Sequence, residues 1–257
     1  MSFNLSKDNA KSTSKGVSII IPTLNEGEYL ARSLRYLSIL DPPAKEIIIV
    51  DGGSTDNTLE VARLSGLKIC IIKTRAGRSH QMNAGAAQAT GDILCFLHAD
   101  TLVPDDLVTV IVKTLANAKI TCGGFISVMA GDTQTRWSTT FHNAIKTYYA
   151  SLVFRPLQFF RGLRVLFGDQ VMFCRKQDFE ACNGFDSRLP IMEDADLCLK
   201  LAKKGKVQQI NRTVQSSDRR VARWGPLKAN AIYLAIGSLW GAGVSGKRLK
   251  RFYEDIR

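Results

Sequence analysis
Histidine and cysteine are scarce in this chain: three and six in 257 residues. The cysteines (Cys70, Cys95, Cys122, Cys174, Cys182, Cys198) are scattered with no C-x-x-C pair, which argues against a zinc site or a disulfide framework and for buried thiols in a reducing cytoplasm. With only His80, His98 and His142 available, no Ser-His-Asp constellation can be read. The amino terminus lacks the apolar run of roughly 7–15 residues that a secretory signal needs. Residues 229–244 are uncharged, yet this stretch falls short of the roughly 20 residues that span a bilayer. A buried helix, or an interfacial anchor flanked by the basic run Lys247-Arg248-Leu249-Lys250-Arg251, fits it better. Repeats and low-complexity tracts are absent as well.

Acidic residues are scarce toward one end. The net charge is +12, and residues 200–257 supply +11 of it, with 14 Lys/Arg against three Asp/Glu. Such a field attracts polyanions: nucleic acid, an anionic membrane or phosphorylated substrates. No nucleic-acid-binding module is recognisable, so nucleic acid is not an expected partner. Residues 1–15, with little to bury, read as a disordered tail.

What is present is a regular alternation. Val17–Ile21, Glu46–Val50, Lys68–Ile72 and Ile93–Leu97 have the apolar character of buried strands. Helical patterns separate them: Asn25–Leu40, Asn57–Leu64 with Ser54 or Thr55 as the expected N-cap, and Ser79–Ala89. Strands alternating with helices predict an α/β fold, a Rossmann-like doubly wound and mostly parallel sheet with helices on both faces. Right-handed crossovers then bring Thr23, Asn25, Asp51 and Asp100 to one sheet edge. Further on we expect a helix at Pro104–Leu115 and a long strand at Ile120–Ala130, where Gly123-Gly124 would let a ligand approach the backbone. The stretch 133–165 mixes aromatic and basic residues, a composition that suits a membrane face or a lipid-linked substrate, and equally a helix packed over the sheet. A strand at Val171–Cys174, a helix opening at Ile191 and a short strand at Val207–Ile210 follow.

Asp51 ends a strand in a turn kept open by Gly52 and Gly53. A carboxylate there can accept a base N–H or a ribose hydroxyl, or simply cap the turn. Asp100, in His98-Ala99-Asp100, is a hard oxygen ligand of the kind that holds Mg²⁺ or Mn²⁺ together with substrate phosphates. His98 is a second ligand candidate or a residue that orients Asp100. Glu193-Asp194-Ala195-Asp196 at a helix start holds more acid than the helix dipole needs, and one carboxylate there can serve as a general base. Between Gln215 and Trp224, Arg219, Arg220 and Arg223 offer guanidinium forks for phosphate, on what reads as a mobile loop able to close on a diphosphate. Gly241-Ala242-Gly243-Val244-Ser245-Gly246 matches G-x-G-x-x-G but follows no first strand of a βαβ unit, and it is set aside.

In order and spacing, Ile21-Pro22-Thr23-Leu24-Asn25-Glu26, Val50-Asp51-Gly52-Gly53-Ser54-Thr55-Asp56, Gly91-Asp92 to Asp100 and Glu193-Asp194 resemble the family 2 glycosyltransferases of GT-A fold over roughly residues 17–212. Leu97-His98-Ala99-Asp100-Thr101, Phe167-Gly168-Asp169-Gln170 and Ser216-Ser217-Asp218-Arg219-Arg220 look like a bacterial subgroup of radical-SAM/selenodomain-associated transferases. The resemblance implies a nucleotide-diphosphosugar donor, a Mn or Mg cation and an inverting displacement onto an unidentified acceptor, with a lipid-linked one among the options. It implies Pro22, Thr23, Asn25, Glu26 and Asp51 in the nucleotide pocket, with Arg78 near the base or phosphates and Asp169 beside the donor. Asp100 would be the metal ligand, with His98 standing where D-x-D has its first Asp. Asp194 would be the base, Glu193 its neighbour, and Arg219, Arg220 and Arg223 would face the diphosphate. The implied organisation is a tail (1–15), a nucleotide-sugar half (16–118), an acceptor and catalytic half (119–224) and a basic helical appendage (225–257). A cytoplasmic protein, peripheral at the inner face of the membrane and open to oligomerisation, is the expectation. The alternative is a nucleotide-sugar or glycan binder on the same fold that does not catalyse.

Overall fold
Strand β1 (Val17–Thr23) alternates its side chains between two cores: Ile19 and Ile21 enter one, Ile20 the other, as a period of two requires. The computed structural model that shows this describes residues 16–131 and 134–253; the tail expected at 1–15 lies outside the described residues. Each fully buried isoleucine of this kind contributes about 1.5–3 kcal/mol. Strands β2 (Glu46–Asp51) and β4 (Ile93–Phe96) flank β1 in parallel, and β3 (Ile69–Lys73) extends the sheet beyond β2. Strands β5 (Ile120–Ala130), β6 (Phe173–Arg175) and β7 (Lys206–Ser217) complete seven strands in the order β3-β2-β1-β4-β6-β5-β7. Only β6 is reversed, antiparallel to β4 and β5; β5 and β7 pair in parallel.

Helices cover both faces. Helices α1 (Gly27–Ser38), α2 (Thr58–Leu64) and α4 (Leu107–Ala116) close the first core, with Leu30, Leu34, Ala62, Ile111 and Leu115 inside it. Helices α3 (Arg78–Gln88), α7 (Lys176–Ala181) and α8 (Glu193–Leu201) close the second through Met82, Phe179 and Leu197. Gly85 lets α3 lie close to the sheet, because a Cβ there would stand 2.5 Å from Ile20 Cγ2. The carboxyl ends of β1, β2 and β4 therefore open on one edge, the crevice where open α/β sheets place ligands.

The rest of the chain wraps this edge. Helices α5 (Trp137–Phe154) and α6 (Pro156–Phe160) follow β5, and α9 (Arg219–Trp224), α10 (Pro226–Gly241) and α11 (Gly246–Leu249) follow β7. Helix α10 packs on α5, and a third small core joins Ile191, Ile236 and Leu249. Helices α10 and α11 lie within the stretch 225–257. Among the described residues no helix is long and apolar enough to cross a membrane.

Five local expectations are corrected. Neither Ser54 nor Thr55 caps α2: Ser54 Oγ is spent on Asp51, while Asp56 accepts the Thr58 N–H and the Gly27 N–H, each at 3.0 Å, and so holds the starts of α2 and α1 together. Gly123 and Gly124 meet side chains and backbone, not a ligand; a Cβ on Gly123 would stand 2.3 Å from the Phe173 ring. The expected short strand 207–210 runs on to Ser217, because the long β5 offers a pairing ladder as far as Ala130. The basic segment 215–224 is accordingly the end of β7 and helix α9 rather than a loop. Of the six cysteines, Cys95, Cys122, Cys174 and Cys198 are buried, but Cys70 is exposed and Cys182 half-buried.

Candidate active site
A cavity of about 580 Å³ opens at the carboxyl edge of the sheet. Pro22 and Thr23 reach it from the end of β1, His98 and Asp100 from the end of β4, Gly168 and Asp169 from a short 3₁₀ turn, Glu193 and Asp194 from the first turn of α8. Gln81 ties the floor together: its Nε2 donates to the carbonyls of Thr23 and Val50, both at 2.8 Å, fixing the ends of β1 and β2 against α3.

One end of the cavity is built on Arg219. Its Nη2 lies 2.6 Å from Asp100 Oδ2 and 3.1 Å from Glu26 Oε2, and its guanidinium covers the Tyr29 ring at 4.1 Å. Arg220 stacks on Tyr253 at 4.4 Å. Arg219 Nη1, Arg220 Nε and His98 Nε2 are buried and have no hydrogen-bond partner among the described residues. Buried polar atoms are nearly always satisfied. Three unsatisfied ones around a single cavity mark a site shaped for a polar, anion-bearing ligand.

Another part of the wall is acidic. Asp194 is only 7% exposed, and Arg78 Nη1 stands 3.9 Å from its Oδ2 and 3.5 Å from Glu193 Oε1. Burial first, and then the charge of Glu193, push the Asp194 carboxyl up to about 7 despite Arg78. Met192 enters the helix at φ 66, a left-handed conformation that costs a non-glycine residue energy and that clusters at functional sites. Gly168 stands between two of the groups: a Cβ there would be 2.4 Å from His98 Nε2 and 2.8 Å from Asp194 Oδ2. Burial and the nearby Arg78, Arg220 and Arg219 hold the His98 imidazole well below its ordinary pKa, so it is neutral.

The side facing α5 and α10 was not foreseen. Lys146, 8% exposed, lays its Nζ 3.6 Å from the centroid of Phe167 and 5.5 Å from that of Tyr233. Burial lowers its pKa to about 8, against the pull of Asp169. Asn143 Nδ2 donates to Asp169 Oδ2, and Ser216 Oγ donates to the Asp169 carbonyl at 2.9 Å. Lys146 is the one Lys or Arg within the eighteen residues of α5, the signal that could have found it.

Pro22, Thr23, Glu26, Arg78, His98, Asp100, Asp169, Glu193, Asp194, Arg219 and Arg220 all line the cavity. Three other candidates do not. Asp51 is buried beneath its turn, accepting from Gly53 N at 3.0 Å and from Ser54 N and Oγ. Asn25 is exposed and accepts the Thr55 N–H at 2.8 Å, and Arg223 is exposed on α9. Lys146, Asn143, Phe167, Tyr233 and Tyr253 are additions to the lining.

For a divalent cation, Asp100 offers one carboxylate and His98 one buried imidazole nitrogen. No group of three or more His, Cys, Asp or Glu converges among the described residues. Hard ions commonly bind through one or two carboxylates plus substrate phosphates. The donor set fits a cation completed by its substrate's oxygens, not one held by the protein alone.

Residues 18–179 match the family described as Glycosyl transferase family 2. The chain belongs to that family. Poly-beta-1,6-N-acetyl-D-glucosamine synthase of Staphylococcus epidermidis is 32% identical over 96 residues, 36% of this chain and 23% of that protein. The PGL/p-HBAD biosynthesis glycosyltransferase of Mycobacterium bovis is 30% identical over 152 residues, 57% of this chain and 59% of its own length. The family 2 chain thus spans about a quarter of the synthase and over half of the mycobacterial enzyme. Among solved structures, a mannosyltransferase of Pyrobaculum calidifontis in complex with GDP-Man and Mn²⁺ superposes with a TM-score of 0.68 at 19% identity, covering 92% of this chain and 67% of its own. Glucosyl-3-phosphoglycerate synthase of Mycobacterium tuberculosis, with Mn²⁺, UDP and phosphoglyceric acid, gives 0.62 at 18%, covering 90% and 79%. The fold of this family 2 chain is GT-A.

Proposed function
We propose that the protein is an inverting, cation-assisted glycosyltransferase that moves a sugar from a nucleotide-diphosphosugar to an acceptor hydroxyl. The observation that carries this is Asp194: a buried carboxyl with its pKa raised to about 7, in the same cavity as the Asp100–Arg219 pair. A base with a pKa near the working pH is suited to proton transfer. The acceptor oxygen attacks the anomeric carbon and gives its proton to an Asp194 oxygen as the bond from that carbon to the diphosphate oxygen breaks. Arg219 and Arg220, with their unsatisfied buried N–H groups, receive the charge that builds on the departing diphosphate. Arg78 and Glu193 hold Asp194 in place.

Pro22, Thr23 and Glu26 would line the nucleotide pocket, with Asp51 and Asn25 acting through the turns they organise. Mn²⁺ or Mg²⁺ would be held by Asp100, with His98 as a further donor, and would supply electrostatic stabilisation of the leaving group. Solved relatives with Mn²⁺, Mg²⁺, GDP-Man or UDP support this choice of cation and donor class. The finer assignment is to the radical-SAM/selenodomain-associated subgroup, on the His98-Ala99-Asp100, Gly168-Asp169-Gln170 and Arg219-Arg220 segments. Residues 16–118 form the nucleotide-sugar half, 119–224 the acceptor half and 225–257 the appendage. The reading includes a lipid-linked acceptor and peripheral contact with an anionic membrane.

A thermal-shift panel of nucleoside diphosphates and their sugars, with and without Mn²⁺, should show one nucleotide raising Tm, more so with the cation. Asp194→Asn should keep that shift and lose transfer; wild-type turnover in this variant would remove Asp194 from the mechanism. The engagement of Asp100 by Arg219 favours one competitor, a nucleotide-sugar binder without catalysis. Tight binding with neither donor hydrolysis nor transfer would select it.

A further inference from the structure
Helix α5 is built inside out. Its buried positions are polar: Thr139, Thr140, Asn143, Lys146, Thr147 and Ser151. Its exposed face carries Trp137, Phe141, Ile145, Tyr148 and Leu152, at steps of four, four, three and four residues, a single stripe along the helix. Trp137 is 70% exposed and Phe141 67%. Helix α6 continues the surface with Phe160 at 79% and Leu157 at 76%. Neighbouring α10 exposes Leu227, Leu234 and Leu239. Only Tyr36, Ile39 and Leu64 are exposed large apolar residues elsewhere among the described residues, so the concentration is not the ordinary scatter of a soluble surface.

The charges around this face have one sign. Residues 133–168 and 219–253 contain no Asp or Glu; of their thirteen Lys and Arg, Lys146, Arg219, Arg220 and Lys250 line the cavity and Arg136 pairs with Asp218, which leaves eight for the surface. Arg155 and Arg161, both exposed, bracket α6; exposed Lys228 follows Leu227; Lys247, Arg248 and Arg251 are exposed beyond α10.

We propose that the α5–α6–α10 face docks on an anionic lipid bilayer, with its apolar stripe in the headgroup–acyl boundary and its cations on lipid phosphates. A second copy of the chain would meet this surface by a two-fold contact, cation against cation with no carboxylate to answer. An anionic bilayer answers both features: apolar area is buried and each cation near the surface adds about 1 kcal/mol. Trp137 and Tyr148 are the residue types that settle at a membrane interface. The inward sides of the same helices carry Asn143, Lys146, Tyr233 and Ile236 to the cavity. Docking would therefore hold the acceptor side against the lipid; this last consequence rests on the transferase reading, the docking itself does not.

The test is cosedimentation of the full chain with phosphatidylcholine vesicles and with vesicles containing 30 mol% (about) phosphatidylglycerol, together with quenching of tryptophan fluorescence by brominated acyl chains. Binding to the anionic vesicles, weakened by salt, with quenching, is expected. The triple variant Trp137→Ser/Phe141→Ser/Phe160→Ser should lose binding and quenching while its Tm and nucleotide-induced shift stay unchanged. Arg155→Gln/Arg161→Gln should weaken anionic binding by about fivefold per cation. Vesicle binding by the triple variant equal to wild type, or no retention of the wild-type chain on either vesicle, overturns the proposal. So does a micromolar dimer in solution that the triple variant converts to monomer. A nucleotide-silent chain that still docks would sink the transferase reading alone.

Discussion

Arg219 Nη2 lies 2.6 Å from Asp100 Oδ2, so a fixed cation already shares the carboxylate that a divalent ion would use. Because Glu26 stands on the same guanidinium, Arg219 balances two carboxylates at once. Removing it leaves them close together without that charge between them, and takes away a buried N–H group that has no partner among the described residues. Truncating one member of a buried charge pair typically costs about 2–5 kcal/mol.

Arg219→Ala should therefore weaken nucleoside diphosphate binding by at least about 30-fold, measured by calorimetry in Mn²⁺. Asp100→Asn should behave differently: it should abolish the Mn²⁺ enhancement while leaving cation-free binding within about threefold of wild type. In the wild type, Mn²⁺ without nucleotide should give no measurable heat, because the protein supplies too few donors. Unchanged binding in Arg219→Ala would remove this residue from the diphosphate site.

How far the sequence led can be judged on these residues. Asp100 was legible because a run of buried apolar residues, Ile93–Leu97, must end at the sheet edge and deliver whatever follows it. Asp194 was legible as an excess of acid over what a helix start needs. Asp51 was legible only to its turn; whether a carboxylate faces the crevice or folds back on Gly53 and Ser54 is set by backbone geometry that residue identity does not encode. Lys146 was missed because helix α5 reverses the usual pattern, and a rule that places apolar side chains inside assigns its faces backwards. The length of β7 was hidden for a related reason: beyond Ile210 the stretch to Ser217 is polar but for Val214, and pairing of Thr213–Ser217 with β5 makes it strand.

The raised pKa of Asp194 gives two linked expectations. As the proposed base it would act in its ionised form, so turnover should rise with pH and level off above about 7. Stability should move the other way. The folded state binds this proton more tightly than the unfolded chain, so the contribution is full below the ordinary aspartate pKa and is lost as pH rises through about 7. Asp194→Asn mimics the protonated acid and should exceed wild type in Tm at pH 8, with the gap closing toward pH 4. Calorimetry across that range checks the sign; a variant less stable than wild type at pH 8 would show that the pairing with Arg78 outweighs desolvation.

Gly168 tests whether His98 and Asp194 must share the space between them. In Gly168→Ala, the added methyl would overlap both His98 Nε2 and Asp194 Oδ2. Displacements of about 1 Å at reacting groups can cost about 100-fold in rate. We expect a fall of that order in kcat, with nucleoside diphosphate affinity within about threefold of wild type, since Arg219 and Glu26 are untouched. Equal losses in kcat and nucleotide affinity would mean that the 3₁₀ turn is only a structural wall.

Lys146 places a cost on the fold that its function has to justify. Burial drives its pKa down to about 8, and no carboxylate of the described residues comes within 4.0 Å, although the Phe167 ring returns part of the loss through cation–π attraction. A lysine with a lowered folded pKa destabilises the fold at neutral pH, and the penalty fades between about pH 8 and the ordinary lysine range, as the unfolded chain holds the proton that the folded one has shed. Lys146→Met keeps the side-chain length and removes the charge. It should raise Tm at pH 7, with the advantage shrinking by pH 10, and leave nucleotide binding unchanged. If this ammonium meets the acceptor, the same variant should raise the acceptor KM with the donor KM unchanged. A variant that gains stability and loses nothing in either KM would make Lys146 a tolerated core cation instead of part of the acceptor site.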